Sequence, residues 1–169
     1  MVNLSKTFQR LALLALLTAF IAGCGKPKIQ NGSTVSIHYT LTVDGQVVES
    51  SWGKEPLTFV QGSRQVMPGL EEQLAGLKQG DRRQIVVAPE KGYGPVNPQA
   101  VQKVPKKSFK DAATLKVGGV VNGQTGDGRP FRAVIVAMDA KDVTLDLNHP
   151  LAGKTLQFSV EVMDVKPGK

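Results

Sequence analysis

A chain of 169 residues with 41% hydrophobic and 21% charged side chains has room for one ordinary domain or two small ones, and is too apolar to stay disordered. The 21 Lys and Arg outweigh 14 Asp and Glu, a net of +7, but they form no long basic run interleaved with aromatics, which excludes the usual nucleic-acid footprint. One cysteine excludes an intramolecular disulfide. With no Gly-x-Ser-x-Gly elbow and only 2 histidines, far apart in sequence, hydrolase and metalloenzyme chemistry have no residues to rest on.

Lys6 and Arg10 precede an apolar run from Leu11 to Ala22. That run is shorter than the roughly 20 residues a membrane-spanning helix needs and matches the h-region of a secretory signal, so residues 1–23 are predicted to be a signal peptide. The run ends Ile21-Ala22-Gly23-Cys24, which resembles the lipobox of bacterial lipoproteins. The resemblance implies acylation of Cys24 on sulfur, cleavage just before it and acylation of the new amine, giving two or three chains and firm anchoring. The other readings are an ordinary cleavage site with a chance cysteine, or a small buried hydrophobe. Gly25, in place of Asp, resembles an outer-membrane sorting signal. The expected location is therefore the cell envelope, anchored by lipid at the periplasmic face of the outer membrane. Without Lys6 and Arg10, 19 basic residues face 14 acidic ones, and a net of +5 would be drawn to an anionic membrane. Residues 24–34, with Pro27, Asn31 and Gly32, read as a short polar tether.

Val35, Ile37, Tyr39, Leu41 and Val43 alternate with Ser36, His38, Thr40 and Thr42, the period of a half-buried strand. Asp44-Gly45 supplies a turn, and Val47 and Val48 begin a returning strand. Leu57 and Phe59 alternate in a third, and Gly62 opens a loop. Val66, Met67, Leu70, Leu74 and Leu77 fall on one helical face, with Pro68 tolerated in the first turn and Gly80 the expected C-cap. Residues 83–88 predict another strand. It ends at Pro89-Glu-Lys-Gly-Tyr-Gly94, where two glycines flank Tyr93 and leave its phenol free to face a pocket.

The last strand of this half-domain arrives only at 155–165, where Leu156, Phe158, Val160 and Val162 alternate with polar neighbours. Residues 96–147 therefore read as an insertion. Within it, 117–121, 131–138 and 143–147 predict three short strands, separated by turn signals at 123–128 and 139–142. So much β-branched apolar surface in so short a segment leaves two readings open. Either all of it is core, or part forms an exposed patch for non-native chains.

Together, residues 35–51, 56–77, 89–94 and 148–165 resemble the FKBP family of peptidyl-prolyl cis/trans isomerases. The likeness is greatest to the SlyD-like branch, in which a second domain interrupts the first. Gln99 to Phe109 is similar to the leading segment of that insert, and Asn148-His-Pro-Leu-Ala-Gly153 to its return motif. The resemblance implies an α+β fold: an FKBP-like antiparallel half-barrel sheet around a short helix, built from 35–95 and 148–166, with a small β-rich chaperone-type domain at 96–147. It also implies a prolyl site with Tyr39, Glu49, Tyr93 and Phe158 at the reacting bond. Val48, Leu57, Phe59, Val66, Met67 and Leu70 would form its apolar walls and floor.

By the same resemblance, Tyr93 would hydrogen-bond a substrate carbonyl and Glu49 would polarise the rim beside Tyr39. Val48 and Glu49 stand where the family usually carries an aromatic residue and Asp, which predicts a shallower wall and a displaced carboxylate. Leu70 stands where the best-known members carry Trp. His149 reads as a structural loop residue rather than a catalyst or metal ligand. No cofactor or metal is expected, and the absence of a His- and Cys-rich tail argues against nickel delivery. The expected partners are unfolded or proline-containing polypeptides and, through the lipid anchor, a membrane, but no nucleic acid. The alternative is a membrane-tethered holdase or assembly factor without isomerase activity. It gains from Val48 and Glu49 and loses from the retained Tyr39, Tyr93 and Phe158.

Overall fold

The structure is a computed structural model that describes residues 25–168, so the signal peptide and Cys24 lie outside the described residues. Strand β1 (Thr34–Val43) keeps the alternation of its sequence, with Val35, Ile37, Leu41 and Val43 buried on one face. Asp44 and Gly45, at φ 49° and 79°, close the hairpin to β2 (Gln46–Ser50), a pair of positive dihedrals that Asp-Gly tolerates. Strand β2 pairs with the second half of β1, and β3 (Leu57–Val60) with the first half. β9 (Leu156–Lys166) runs antiparallel along the other edge of β1, and β4 (Arg82–Val87) follows beside it, giving the order β2-β1-β9-β4.

Two register shifts decide which side chains face inward. One, between Ser36 and Ile37, leaves Met163 as the extra residue of β9, so that Val162 and Val165 are both buried despite their odd spacing. The other, between Leu41 and Thr42, sets Leu41 opposite Glu49 and Thr42 opposite Val47, which leaves Val48 unpaired.

Helix α1 (Pro68–Leu74) packs on the sheet through Leu70 and Leu74. Gly69 permits this closeness, because a Cβ there would lie 2.5 Å from Val87 Cγ1. The helix is shorter than the apolar spacing predicts. Met67 is its N-cap and Ala75 its C-cap, and Gly76, at φ 82°, turns the chain, so Gly80 is not the C-cap. Val66, Met67 and Leu77 reach the same core from the flanking loops, which is why the periodicity runs past the helix ends.

The segment read as a tether is docked from Lys28 onward. Lys28 bridges Lys78, and Ile29 is 2% exposed. The Ile29 N–H donates to the Leu77 carbonyl at 2.7 Å, and the Gly76 N–H to the Ile29 carbonyl at 2.8 Å. One apolar residue among polar neighbours carries no periodicity, so the sequence does not reveal this contact.

The inserted residues form a second antiparallel sheet with its own apolar cluster. Its strands are β5 (Val101–Pro105), β6 (Val120–Gln124), β7 (Pro130–Met138) and β8 (Asp142–Asp146), in the order β5-β8-β7-β6. β5 makes a fourth strand where three are predicted. It is an edge strand with only Val104 half-buried, so it lacks alternation. β6 starts at Val120, later than predicted, because 117–119 form a turn in which the Gly119 N–H donates to the Lys116 carbonyl at 2.9 Å.

The two chain crossings that join the sheets are tied to each other. The Asn97 N–H donates to Asn148 Oδ1 at 2.8 Å, Asn148 Nδ2 donates to the Asn97 carbonyl at 3.0 Å, and the Gly153 N–H to the Gly94 carbonyl at 2.8 Å. These crossings leave β4 and enter β9 where Val87 faces Leu156. The N-terminal segment docks at the opposite end of the sheet, where Thr34 faces Lys166.

Candidate active site

The inner face of β1 and β9, the loop before α1 and the 89–94 turn surround a cleft of about 490 Å³. Leu57, Val66, Met67 and Phe158 wall it, the buried Leu70 lies beneath, and Tyr39, Glu49 and Tyr93 are among the residues that bring polar atoms. Eight of the residues predicted for the site thus come together from six separate stretches of sequence.

Tyr39 is fixed at both ends. Its backbone N–H donates to Ser51 Oγ at 2.9 Å, its carbonyl accepts the Ser51 N–H at 3.0 Å, and its hydroxyl donates to Glu49 Oε1 at 2.6 Å. Burial first, and then the bond to the Glu49 carboxylate, push the phenol up from 10.0 to about 12, so Tyr39 stays a neutral donor at any physiological pH. Its ring meets Phe158 at 5.9 Å and 57°, a tilted aromatic contact. Glu49, despite its extra methylene, reaches the hydroxyl beside it.

Two predicted wall residues lie elsewhere. Val48 is the extra residue at the β1–β2 register shift, 49% exposed, and does not line the cleft. The shift disrupts the pleat at this point, and β2 aims Glu49 into the cleft while Val48 stays exposed outside it. Phe59 is 2% exposed and packed in the main core rather than on the cleft wall. It shares the inward face of Leu57 but sits roughly 7 Å further along β3.

Tyr93 follows a single helical turn, Pro89–Lys91, and is 40% exposed. Among the described residues its hydroxyl has no hydrogen-bond partner, while its ring lies flat on His149, centroids 3.8 Å apart and 6° from parallel. His149 therefore stands next to the cleft, although its sequence position in the return motif reads only as a loop. Leu41, Arg64, Gln65, Pro68 and Gly92 complete the lining. Leu41 was legible as the next inward residue after Tyr39. Arg64 and Gln65 sit in a polar loop with no pattern to find, held where Gln65 Oε1 accepts the Val60 N–H at 2.8 Å.

The four-stranded sheet carries a larger, open groove of about 980 Å³. Phe109, Leu115, Val121 and Phe131 are among its apolar walls, with Lys110, Asp111, Asn122 and Gln124 between them.

Among the described residues no three metal-ligating side chains converge, and the hydroxyl that does stand beside a carboxylate in the cleft, Tyr39 on Glu49, holds its proton because its phenol is pushed up to about 12. Apolar walls edged by two tyrosine hydroxyls suit a bound amide that changes conformation without a bond being broken. The sequence profile of the FKBP-type peptidyl-prolyl cis-trans isomerases matches residues 25–163. The chain is 39% identical over 140 residues to the probable FKBP-type 16 kDa peptidyl-prolyl cis-trans isomerase of Pseudomonas fluorescens, covering 82% of this chain and 93% of that one. It is 33% identical over 141 residues to the FKBP-type 16 kDa isomerase of Escherichia coli K12, covering 82% and 95%. To the isomerase SlyD of Haemophilus influenzae it is 39% identical over 137 residues, covering 80% and 72%. The chain belongs to the FKBP-type peptidyl-prolyl cis-trans isomerases, a family acting on proline-containing polypeptides.

Proposed function

We propose that the cleft under Tyr39 and Tyr93 is the proline site of this isomerase, and that the groove of the four-stranded sheet holds non-native exported proteins while the cleft acts on them. The observation that carries this reading is the Tyr93 hydroxyl, unpartnered among the described residues, beside an apolar cleft.

Rotation about an Xaa-Pro bond faces a barrier of roughly 18–20 kcal/mol because amide resonance must be broken. The twisted amide is less polar than the planar one, so moving it from water to apolar walls favours the twist. Leu57, Val66, Met67, Leu70 and Phe158 supply those walls for the proline ring. Tyr93 donates to a substrate carbonyl, and the Tyr39–Glu49 pair sets the polarity of the opposite side. Each ~1.4 kcal/mol of preferential stabilisation gives tenfold in rate, so no covalent step is needed.

Lipid attachment at Cys24 completes the reading, supported by the Ile-Ala-Gly-Cys sequence. Chain docking from Lys28 leaves at most about 14 Å of extended backbone between that cysteine and the sheet. The barrel would be held close to the outer membrane's periplasmic face, with the inserted sheet at the end of β1 and β9 away from the anchor.

The test is isomerisation of a short Xaa-Pro peptide by wild type and Tyr93→Phe. Loss of one hydrogen bond predicts a drop in kcat/KM of about threefold to tenfold at unchanged melting temperature. An unchanged rate would remove Tyr93 from the site. Suppression of aggregation of a non-native protein tests the groove, and palmitate labelling that disappears in Cys24→Ala tests the anchor. Labelling that persists would reject it.

A further inference from the structure

The return motif Asn148-His-Pro-Leu-Ala-Gly153 is a short segment with one aromatic ring, and that ring is held on both sides. Ahead of it, Asn148 bonds Asn97 twice and takes its own N–H to Asp146 Oδ1 at 2.8 Å. Behind it, the Ala152 N–H donates to the His149 carbonyl at 2.8 Å, and Leu151 packs against the main core. Pro150 restricts the backbone of His149 as well. The imidazole is itself oriented, because Nδ1 accepts the Leu151 N–H at 3.1 Å, which places the ring proton on Nε2.

The backbone around Tyr93 is tied, with the Gly92 and Gly94 N–H groups both donating to the Pro89 carbonyl at 3.0 and 2.7 Å, but its side chain has no such support. It stands between Gly92 and Gly94, and Gly94 sits at φ 81°, so neither neighbour offers a side chain to lean on. Among the described residues the hydroxyl has no hydrogen-bond partner and the ring's only aromatic stacking partner is His149. A phenol that must meet a substrate carbonyl within a few tenths of an ångström is therefore steadied by a ring from the other crossing.

We propose that His149 is a positioning residue for the isomerase reaction, its imidazole plane holding the Tyr93 phenol at the edge of the cleft. The inference rests on the reading of Tyr93 given above. It also assigns the return motif a role beyond joining the sheets, since the turn that orients His149 is the one that packs the half-buried Leu151 against the core.

Two substitutions in the intact chain separate the ring from the turn. His149→Asn keeps an acceptor for the Leu151 N–H and loses the stack, whereas His149→Phe keeps the stack and loses the acceptor. Stacked aromatic pairs contribute enough that His149→Asn should lower kcat/KM on a short Xaa-Pro peptide roughly twofold to tenfold. His149→Phe should recover most of that loss, and the Tyr93 ring resonances should move in the Asn variant and stay near wild type in the Phe variant. In a Tyr93→Phe background, His149→Asn should cost much less than alone, because the hydroxyl it positions is gone. If Tyr93→Phe lowers the rate and His149→Asn does not, or if the Phe variant falls as far as the Asn variant, the positioning role is overturned while the Tyr93 reading stands. If Tyr93→Phe itself has no effect, both fall.

Discussion

The cleft and the groove are both apolar depressions, but they stand on different foundations. Beneath the cleft, sixteen buried apolar residues from β1, β3, β4, β9, α1 and their connections form one cluster. Beneath the groove there are four, Ala133, Ile135, Val143 and Leu145, and more partly buried hydrophobic residues than buried ones pack around them. Over the dense cluster Tyr39 packs against the core and is held at both ends by hydrogen bonds. A thin cluster leaves Phe109, Leu115 and Phe131 half-covered, able to adjust to whatever lies on them. On the proposed reading, the firmly seated cleft takes a single proline ring and the half-covered groove takes chains of many shapes.

The sharpest way to break this comparison is to open a cavity in each cluster. Leu74→Ala, at a fully buried helix position, should destabilise the protein by about 3 kcal/mol and lower its melting temperature together with peptide activity. Phe109→Ala, at a half-buried position, should cost about 1 kcal/mol and leave peptide activity near wild type. Equal losses in thermal melts of the two variants would show that the groove is as tightly built as the cleft.

Removing residues 98–147 and closing the gap with a short glycine linker is the next largest change, and the Asn97–Asn148 contact brings the ends together for it. The remaining sheet should fold, seen as a cooperative melt, and should isomerise a short peptide within about threefold of wild type, since no cleft residue is removed. A shortened chain that does not fold would show that the two sheets depend on each other.

A smaller effect sharpens the account of the cleft. The folded chain keeps the Tyr39 proton after the unfolded chain has released it. Its contribution to stability is therefore constant below pH 10 and falls as pH rises from 10 to about 12. Glu49→Gln removes the carboxylate but leaves the burial, so an ultraviolet titration of tyrosinate should find Tyr39 lowered part of the way toward 10.0. A full return to 10.0 would mean that burial, the largest cause, contributes nothing.

Where the alternation of a strand or the identity of a turn carried the information, the architecture was legible from the residues. Val35 to Val43 and Leu156 to Val162 read as the two central strands, and they are paired as neighbours. Tyr39, Glu49, Leu57, Val66, Met67, Leu70, Tyr93 and Phe158 were found through family resemblance, not through periodicity, because they converge from distant segments. What stayed hidden depends on register and on long-range contact. The unpaired position of Val48 follows from a shift between two strands, which neither strand encodes alone. The docking of Ile29 and the stacking of His149 on Tyr93 join residues 48 and 56 positions apart, Ile29 with Leu77 and Tyr93 with His149. β5 pairs through its backbone and carries no apolar stripe, so a strand of that kind leaves no trace in the pattern.

The division of labour between the two depressions is tested most directly by one ratio: acceleration of a refolding protein limited by proline isomerisation, divided by acceleration of a short Xaa-Pro peptide. Wild type is compared with Leu115→Ser, which alters the groove, and with Tyr93→Phe, which alters the cleft, each checked by thermal melting. The account predicts that Leu115→Ser lowers the ratio severalfold with peptide activity kept, while Tyr93→Phe lowers both rates and leaves the ratio unchanged. A ratio untouched by Leu115→Ser, or peptide activity that falls with it in a folded protein, would contradict the separation of holding from isomerisation.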